Sequence, residues 1–280
     1  MLADAQDLYI ERTNPLNENQ YEVDGEWFDM EVDKELIHIR SDFPRFLTDP
    51  IPPIEWEVRR TRHGPLISDV IGRVDRPLAL RWTALDDEDK TFQSFLKVNY
   101  ANNWESFKSA FEGYTAPAIN FIYADVHGDI GLFAGGKIPI RTNSNGRLPI
   151  PGWQSQYDWS GYIPLDSVPQ ILNPEKGYIV NANNRNHADD YPYLIANIWA
   201  VPYRVERIRQ TIQSHIQAGQ KITVQDFIDL QGNVDSLQAK ELMTFFQQLK
   251  PQTPQQEDAI NQIIQWDGVV SAESKEAVIY

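Results

Sequence analysis

The chain has 280 residues, with 25 basic against 40 acidic side chains and a formal net charge of −15 at pH 7, a balance that argues against a nucleic-acid partner bound through its phosphates. Apolar residues make up 41% and aromatic residues 11%, enough for a real core, so disorder along the whole length is excluded. Cysteine is absent, which removes disulfides, thiolate metal sites and a cysteine nucleophile, and no run reaches the roughly 18 apolar residues of a membrane-spanning helix.

The first 80 residues read as strands. Asp7–Arg12 is a short strand, and the stretches 20–32 and 35–39 form a meander that turns at Asp24-Gly25. Pro44, Pro50, Pro52 and Pro53 exclude a regular helix over 44–53 and predict a loop. Alternation resumes over Glu55–Arg60, turns at His63-Gly64-Pro65, and predicts a further strand near Leu66–Val70. From Lys90 the period changes: Phe92, Phe95, Leu96, Tyr100, Trp104, Phe107 and Phe111 recur at helical spacing, as two helices broken near Asn102-Asn103. A hairpin follows over 118–141, with its turn at His127-Gly128-Asp129. Residues 142–177 are loop-dominated and rich in proline, and 177–181 predict a short strand before an asparagine-rich turn. Helices dominate from Pro202: Arg204–Ala218, a helix capped by Thr223 with Asp226 three residues on, Leu237–Leu249 and Gln255–Trp266. The order predicts an α+β fold, with 1–200 mainly β-rich and 201–280 mainly helical.

Turn chemistry does not explain the wording of several segments. Asp4-x-x-Asp7-Leu-Tyr-x-Glu11-Arg, Arg60-Thr-Arg-His63-Gly-Pro65, and Asn120-x-x-Tyr-Ala-Asp-x-x-Gly-x-Ile-Gly131 occur in order along the chain. They are followed by Gly136-x-Ile-Pro-x-Arg141, Leu148-Pro-Ile-Pro-Gly-Trp153, Asn173-Pro-x-x-Gly177-Tyr, Asn183-Asn184, Tyr191-Pro, Trp199, Arg204, Gln231, Asp235-Ser236 and Trp266-Asp267-Gly268. Together these segments closely resemble the β-chain of the penicillin acylase family of N-terminal nucleophile hydrolases. The likeness runs along nearly the whole chain.

The resemblance implies a partial αββα four-layer core, lacking its first strands, with a helical C-terminal part. It implies an amidohydrolase that cleaves the acyl side-chain amide of β-lactams, acyl-homoserine lactones or related small N-acyl substrates, working in the periplasm or outside the cell. The family's nucleophile is a serine at the β-chain N-terminus, activated by its own α-amino group. This chain opens on Met1-Leu2-Ala3 and stops within an apolar pattern at Tyr280, so 1–280 is expected to be an internal β-chain fragment, inactive alone, whose partners are the α-chain and the N-terminal part of the β-chain. Two catalytic positions carry over: Asn183, the donor to the oxyanion, and Arg204, which orients it. Read from the residues alone, Asn183 is also an ordinary turn asparagine and Arg204 a helix-start salt-bridge residue. Ile119 matches a residue lining the acyl pocket, and equally reads as a buried strand residue. A structural calcium is implied at Asp4 and Asp7 with the carbonyls of Gln6 and Gly146. A further aspartate ligand of the family falls here on Leu194-Ile195, with Asp189 and Asp190 just before. The alternative reading is a noncatalytic module, either a scaffold relative or a carbohydrate binder that stacks sugars on Trp153, Tyr157 and Trp159.

Overall fold

The computed structural model describes residues 3–40, 51–72 and 75–280. The part of the predicted proline loop that spans 44–50 lies outside the described residues, and 51–53 carry no regular structure. The chain divides into two compact units, residues 1–179 with 186–199, and 180–185 with 200–280.

The first unit is a set of small sheets around two apolar clusters. β1 (Gln6–Ile10) is the centre of a three-stranded sheet, antiparallel to β8 (Leu78–Trp82) and parallel to β12 (Ile150–Pro151). Its alternation buries Asp7 and Tyr9 on one face. β2 (Thr13–Asn14), β3 (Asn17–Val23) and β4 (Glu26–Asp29) form one antiparallel sheet with the hairpin turn expected at Asp24-Gly25, while the limb of the predicted meander over 35–39 falls on the next strand, in a different sheet. Its turn has Asp24 at φ 49° and Gly25 at φ 91°, the positive angles of a tight hairpin. β5 (Glu31–Ile37), β6 (Ile54–Thr61) and β7 (Gly64–Pro65) pair antiparallel.

The strand expected near Leu66–Val70 is instead a bridge at Leu66 followed by the one-turn helix α1 (Ser68–Ile71). Gly72, at φ 64°, caps that helix in the left-handed region, a terminator that outweighs the β-branched pattern. The expected strand over 177–181 is also absent: Gly177, at φ 72°, starts a chain without ladder partners there.

α2 (Thr91–Val98) and α3 (Trp104–Ser109) are the predicted helix pair, broken where expected. Asn103 caps α3 by accepting from the Ser106 N–H, and the Ser106 side chain answers to the Asn103 backbone. β9 (Ile119–Ala124) and β10 (Ile130–Gly135) form the predicted hairpin, with β14 (Gln170–Leu172) on the far side of β10. Asp125 Oδ1 accepts from the N–H groups of His127 and Asp129 and so closes the turn. The larger core cluster gathers Trp104, Phe107 and Phe111 with Tyr123 and Phe133 of the hairpin. Gly131 is required at its place, because a Cβ there would stand 2.4 Å from the Trp104 ring.

β11 (Pro139–Arg141) pairs with β13 (Trp159–Tyr162). Two buried polar knots tie these strands to β1. In one, His63 stacks on Tyr9 at 3.6 Å, with Nδ1 2.8 Å from Glu11 and Nε2 2.8 Å from Asp158. Each ring nitrogen is thus engaged by a carboxyl oxygen, which fixes the plane of the imidazole between the two acids. His63 is scaffold here, as its place in a turn motif implies. In the other knot Asp7 meets Arg141, described below. A third cluster, half-covered, joins Asp86 to Arg81 (2.8 Å), Lys137 (3.3 Å) and the Tyr162 hydroxyl (2.5 Å).

The second unit is helical: α4 (Tyr203–Gln217), α5 (Val224–Gln231), α6 (Leu237–Phe246), α7 (Pro254–Gln265) and α8 (Glu276–Ile279). Thr223 and Asp226 form the expected capping box on α5. No helix of the described residues is long and apolar enough to cross a membrane.

Two stability effects follow. Gly131→Ala is expected to cost about 1–3 kcal/mol by overpacking against Trp104, read from urea denaturation. Burial pushes the Asp86 carboxyl up, but Tyr162, Arg81 and Lys137 outweigh it and hold it below the ordinary aspartate value. A depressed folded value means stability fully present above the unfolded value of about 3.9 and lost as pH falls through the folded one. Asp86→Asn is therefore expected to lower stability at pH 7 by about 1–3 kcal/mol and to flatten its decline below about pH 4, measured by denaturation across pH.

Candidate active site

Asn183 sits in the second unit on a turn made by its neighbours. The Asn184 Oδ1 accepts from the Ala182 N–H at 3.1 Å, and the Asn181 Oδ1 from the Asn183 N–H at 3.4 Å. These side chains replace the ladder bonds that a strand would have made. Asn183 itself takes φ 62°, a left-handed conformation that asparagine adopts far more readily than branched residues. Its carbonyl accepts from the Ala200 N–H at 3.1 Å, closing the loop.

Arg204 stands in the first turn of α4, directly after Pro202 and Tyr203. A cation at a helix N-terminus is on the unfavourable end of the helix dipole. What holds it is a pair of acceptors: Nη2 donates to the Ala182 carbonyl at 2.8 Å and to the Asn183 Oδ1 at 3.0 Å. The two residues carried over from the resemblance are thus in direct contact. An amide whose oxygen is engaged by a guanidinium presents its NH2 on the opposite side, as a pair of neutral donors. Such a group stabilises an oxygen that becomes negative, and it carries no charge to repel one.

Ile119 opens β9 opposite Gly135, half-buried, and packs against the aromatic cluster. A cavity of about 470 Å³ lies beside the residues that precede it, lined by Ala3, Asp4, Ala5, Gln6, Trp82, Thr83, Ala116, Pro117 and Ala118; Ile119 is not among the lining residues.

Asp4, Gln6, Asp7 and Gly146 do come together, around a residue that composition and spacing did not single out as a ligand. Arg141 donates Nε to Asp7 Oδ2 (2.7 Å) and Nη2 to the carbonyls of Asp4 (2.8 Å) and Gln6 (3.3 Å). Trp159 Nε1 donates to the same Asp7 oxygen at 2.5 Å. From the stretch where the family's further aspartate falls, the residue that reaches Asp4 is Asn197. Its backbone N–H and its Nδ2 both donate to Asp4 Oδ2 at 2.8 Å. Calcium takes about six to eight oxygens, and of the expected ones one oxygen of Asp4, one of Asp7 and the Gln6 carbonyl are already accepting from protein donors. Among the described residues no group of three or more His, Cys, Asp or Glu could hold a metal. As arranged, these residues do not fit calcium. Sequence reading missed Asn197 and Trp159 as partners of this segment; Arg141 stood in the Gly136-x-Ile-Pro-x-Arg141 motif, but nothing local ties it to Asp7, 134 residues away.

The aromatic loop residues are also engaged. Arg12 lies over the Trp153 ring at 3.8 Å, and Arg81 and Arg141 lie over the Trp159 ring at 4.5 and 5.7 Å. Rings already covered by guanidinium groups make a poor platform for sugars.

A model of the family described as penicillin amidase matches residues 1–280. An acyl-homoserine lactone acylase, QuiP, of Pseudomonas fluorescens is 31% identical over 295 residues, covering 99% of this chain and 34% of that protein. Penicillin acylase 2 proenzyme of a Pseudomonas species is 31% identical over 228 residues, covering 81% of this chain and 29% of that protein. Among solved structures, a thermostable penicillin G acylase from Alcaligenes faecalis superposes with a TM-score of 0.73 at 26% identity, covering 95% of this chain and 46% of that one. The chain spans about a third of the length of the curated relatives it matches. Its architecture is the mixed α and β arrangement of that penicillin G acylase, and the chain belongs to the penicillin amidase family.

Proposed function

We propose that this chain is the part of an acylase that supplies the side-chain donor to the oxyanion, and that its parent hydrolyses the acyl amide of a small N-acyl compound. The observation that carries this reading is the Arg204 Nη2 contact with Asn183 Oδ1 at 3.0 Å, made beside its bond to the Ala182 carbonyl from the first turn of α4. In the reaction that the resemblance implies, a serine oxygen attacks the amide carbonyl and its proton passes to the serine's own amine. The carbonyl oxygen becomes negative, the C–N bond breaks with that proton delivered to the leaving amine, and water releases the acid. Asn183 acts on the negative oxygen, and Arg204 holds the amide so that its NH2 faces it. In this reading the serine and most of the acyl pocket are supplied by the rest of the parent enzyme. By the resemblance, Ile119 of the first unit corresponds to a residue of that pocket.

The named relatives, an acyl-homoserine lactone acylase and penicillin acylases, support N-acyl homoserine lactones and β-lactams as the substrate classes. In this reading the parent works in the periplasm or outside the cell, against antibiotics or acylated signals.

Two measurements test the reading. The 280-residue chain alone is expected to release no product from an N-acyl homoserine lactone or penicillin G; catalytic turnover by the purified chain overturns the assignment of the nucleophile elsewhere. In a processed enzyme that contains this chain, Asn183→Asp is expected to lower kcat about 100- to 1,000-fold with a much smaller change in KM, because the donor acts on charge that develops only in the transition state. Unaltered kcat in that variant refutes the role of Asn183.

A further inference from the structure

We infer that Arg141 is the resident cation of the Asp4–Asp7 segment, and that this chain closes the segment with a salt bridge and amide hydrogen bonds in place of a metal. The inference stands on the first unit alone and is independent of the catalytic reading.

Asp7 and Arg141 have side-chain exposures of 0% and 1%, so each charge is out of water and depends on the other. The Asp7 carboxylate receives the Arg141 Nε at 2.7 Å and the Trp159 Nε1 at 2.5 Å, both on Oδ2. The same guanidinium takes the two backbone carbonyls of the segment, Asp4 and Gln6, through Nη2. A guanidinium fixed on these oxygens repels a second cation aimed at the same group. Across the segment, Asn197 places two N–H donors on Asp4 Oδ2, and its Nδ2 also donates to the Asn145 carbonyl at 2.6 Å. A metal needs an oxygen there, and the amide offers a donor. What remains is Asp7 Oδ1, the second Asp4 oxygen and the Gly146 carbonyl, fewer than the about six that calcium requires. Gly146 closes over the pair at φ 71°: a Cβ there would lie 2.7 Å from Asp7 Oδ1 and 3.1 Å from Arg141 Nε.

The geometry also says what a calcium-binding arrangement would look like. Turning the Asn197 amide over would set its oxygen against Asp4 Oδ2 and the Asn145 carbonyl, a cluster that only a cation stabilises. Metal binding by the chain itself therefore decides between the two.

The test uses the 280-residue chain freed of metal by chelation, with Tm read by calorimetry in excess EDTA and in millimolar CaCl2. The expected result is the same Tm within about one degree and no calcium retained after dialysis, since a ligand bound at a hundred times its Kd raises Tm by several degrees. About one calcium per chain by elemental analysis, or a Tm raised by several degrees, overturns the inference. In EDTA, Arg141→Met is expected to lower Tm by roughly 5 °C or more without recovery on adding calcium. Should that variant fail to fold, Asn197→Asp reports instead. It keeps Arg141, removes the donor and sets a carboxylate against Asp4, so its Tm in EDTA falls; an unchanged Tm shows that Asn197 does not donate there and overturns the arrangement.

Discussion

The pairing of Asp7 with Arg141 is the constraint on which the β-rich unit rests. The two lie 134 residues apart in sequence, and both side chains are all but excluded from solvent. Neither charge is tolerable there alone: an unpartnered buried ion costs several kcal/mol, a large share of the stability of a domain. The chain must therefore bring β11 onto the face of β1 that carries Asp7, and β13 with it, because Trp159 donates to the same oxygen. Tyr9, one pleat along on that face, is fully buried and meets the second knot through its stack on His63. One face of one five-residue strand thus collects contacts from the β6–β7 turn, β11 and the loop ahead of β13.

That arrangement gives physical content to segments that otherwise look like wording. Arg60-Thr-Arg-His63-Gly-Pro65 holds its histidine between Glu11 and Asp158, while Thr61 donates to Glu11 at 2.7 Å and Arg62 holds Asp158 at 2.9 Å. Gly64 is admitted because β8 passes directly beside it, with a Cβ at that place only 2.4 Å from the Leu80 carbonyl oxygen. Each residue type is specified by a neighbour far along the chain. Groups with catalytic reputations, a histidine between two carboxylates above all, are here committed to holding strands together.

This non-locality decides what could be read from sequence. The helix pair over 91–109, the hairpin over 119–135, the Thr223 capping box and the helices from Tyr203 onward are set by periods and caps of a few residues, and they stand where patterns place them. The strands near Leu66–Val70 and 177–181 fail for a related reason: β-branched composition reports a preference, while the left-handed glycines at 72 and 177 report a backbone state, and the backbone state wins. Asn197 and Trp159 left no local trace. Their role exists only once residues 7 and 4 are beside them, and no window along the chain contains both partners.

Asn183 and Arg204 occupy the middle ground. They are 21 residues apart, on a turn and on the helix that follows it within one unit, so their contact needs no long-range closure. The turn chemistry alone predicts an asparagine-rich bend and nothing more. The arginine changes its meaning, because a planar guanidinium reaching both the Ala182 carbonyl and the Asn183 side-chain oxygen fixes which face of the amide is a donor. A lysine in that place could offer a charge but no plane, leaving the amide free to turn. An aspartate in place of Asn183 would form an ion pair with the arginine and lose the side-chain donors that the proposed role requires. The orientation of that amide is therefore held by two residue types and one helix start, on a left-handed backbone at Asn183.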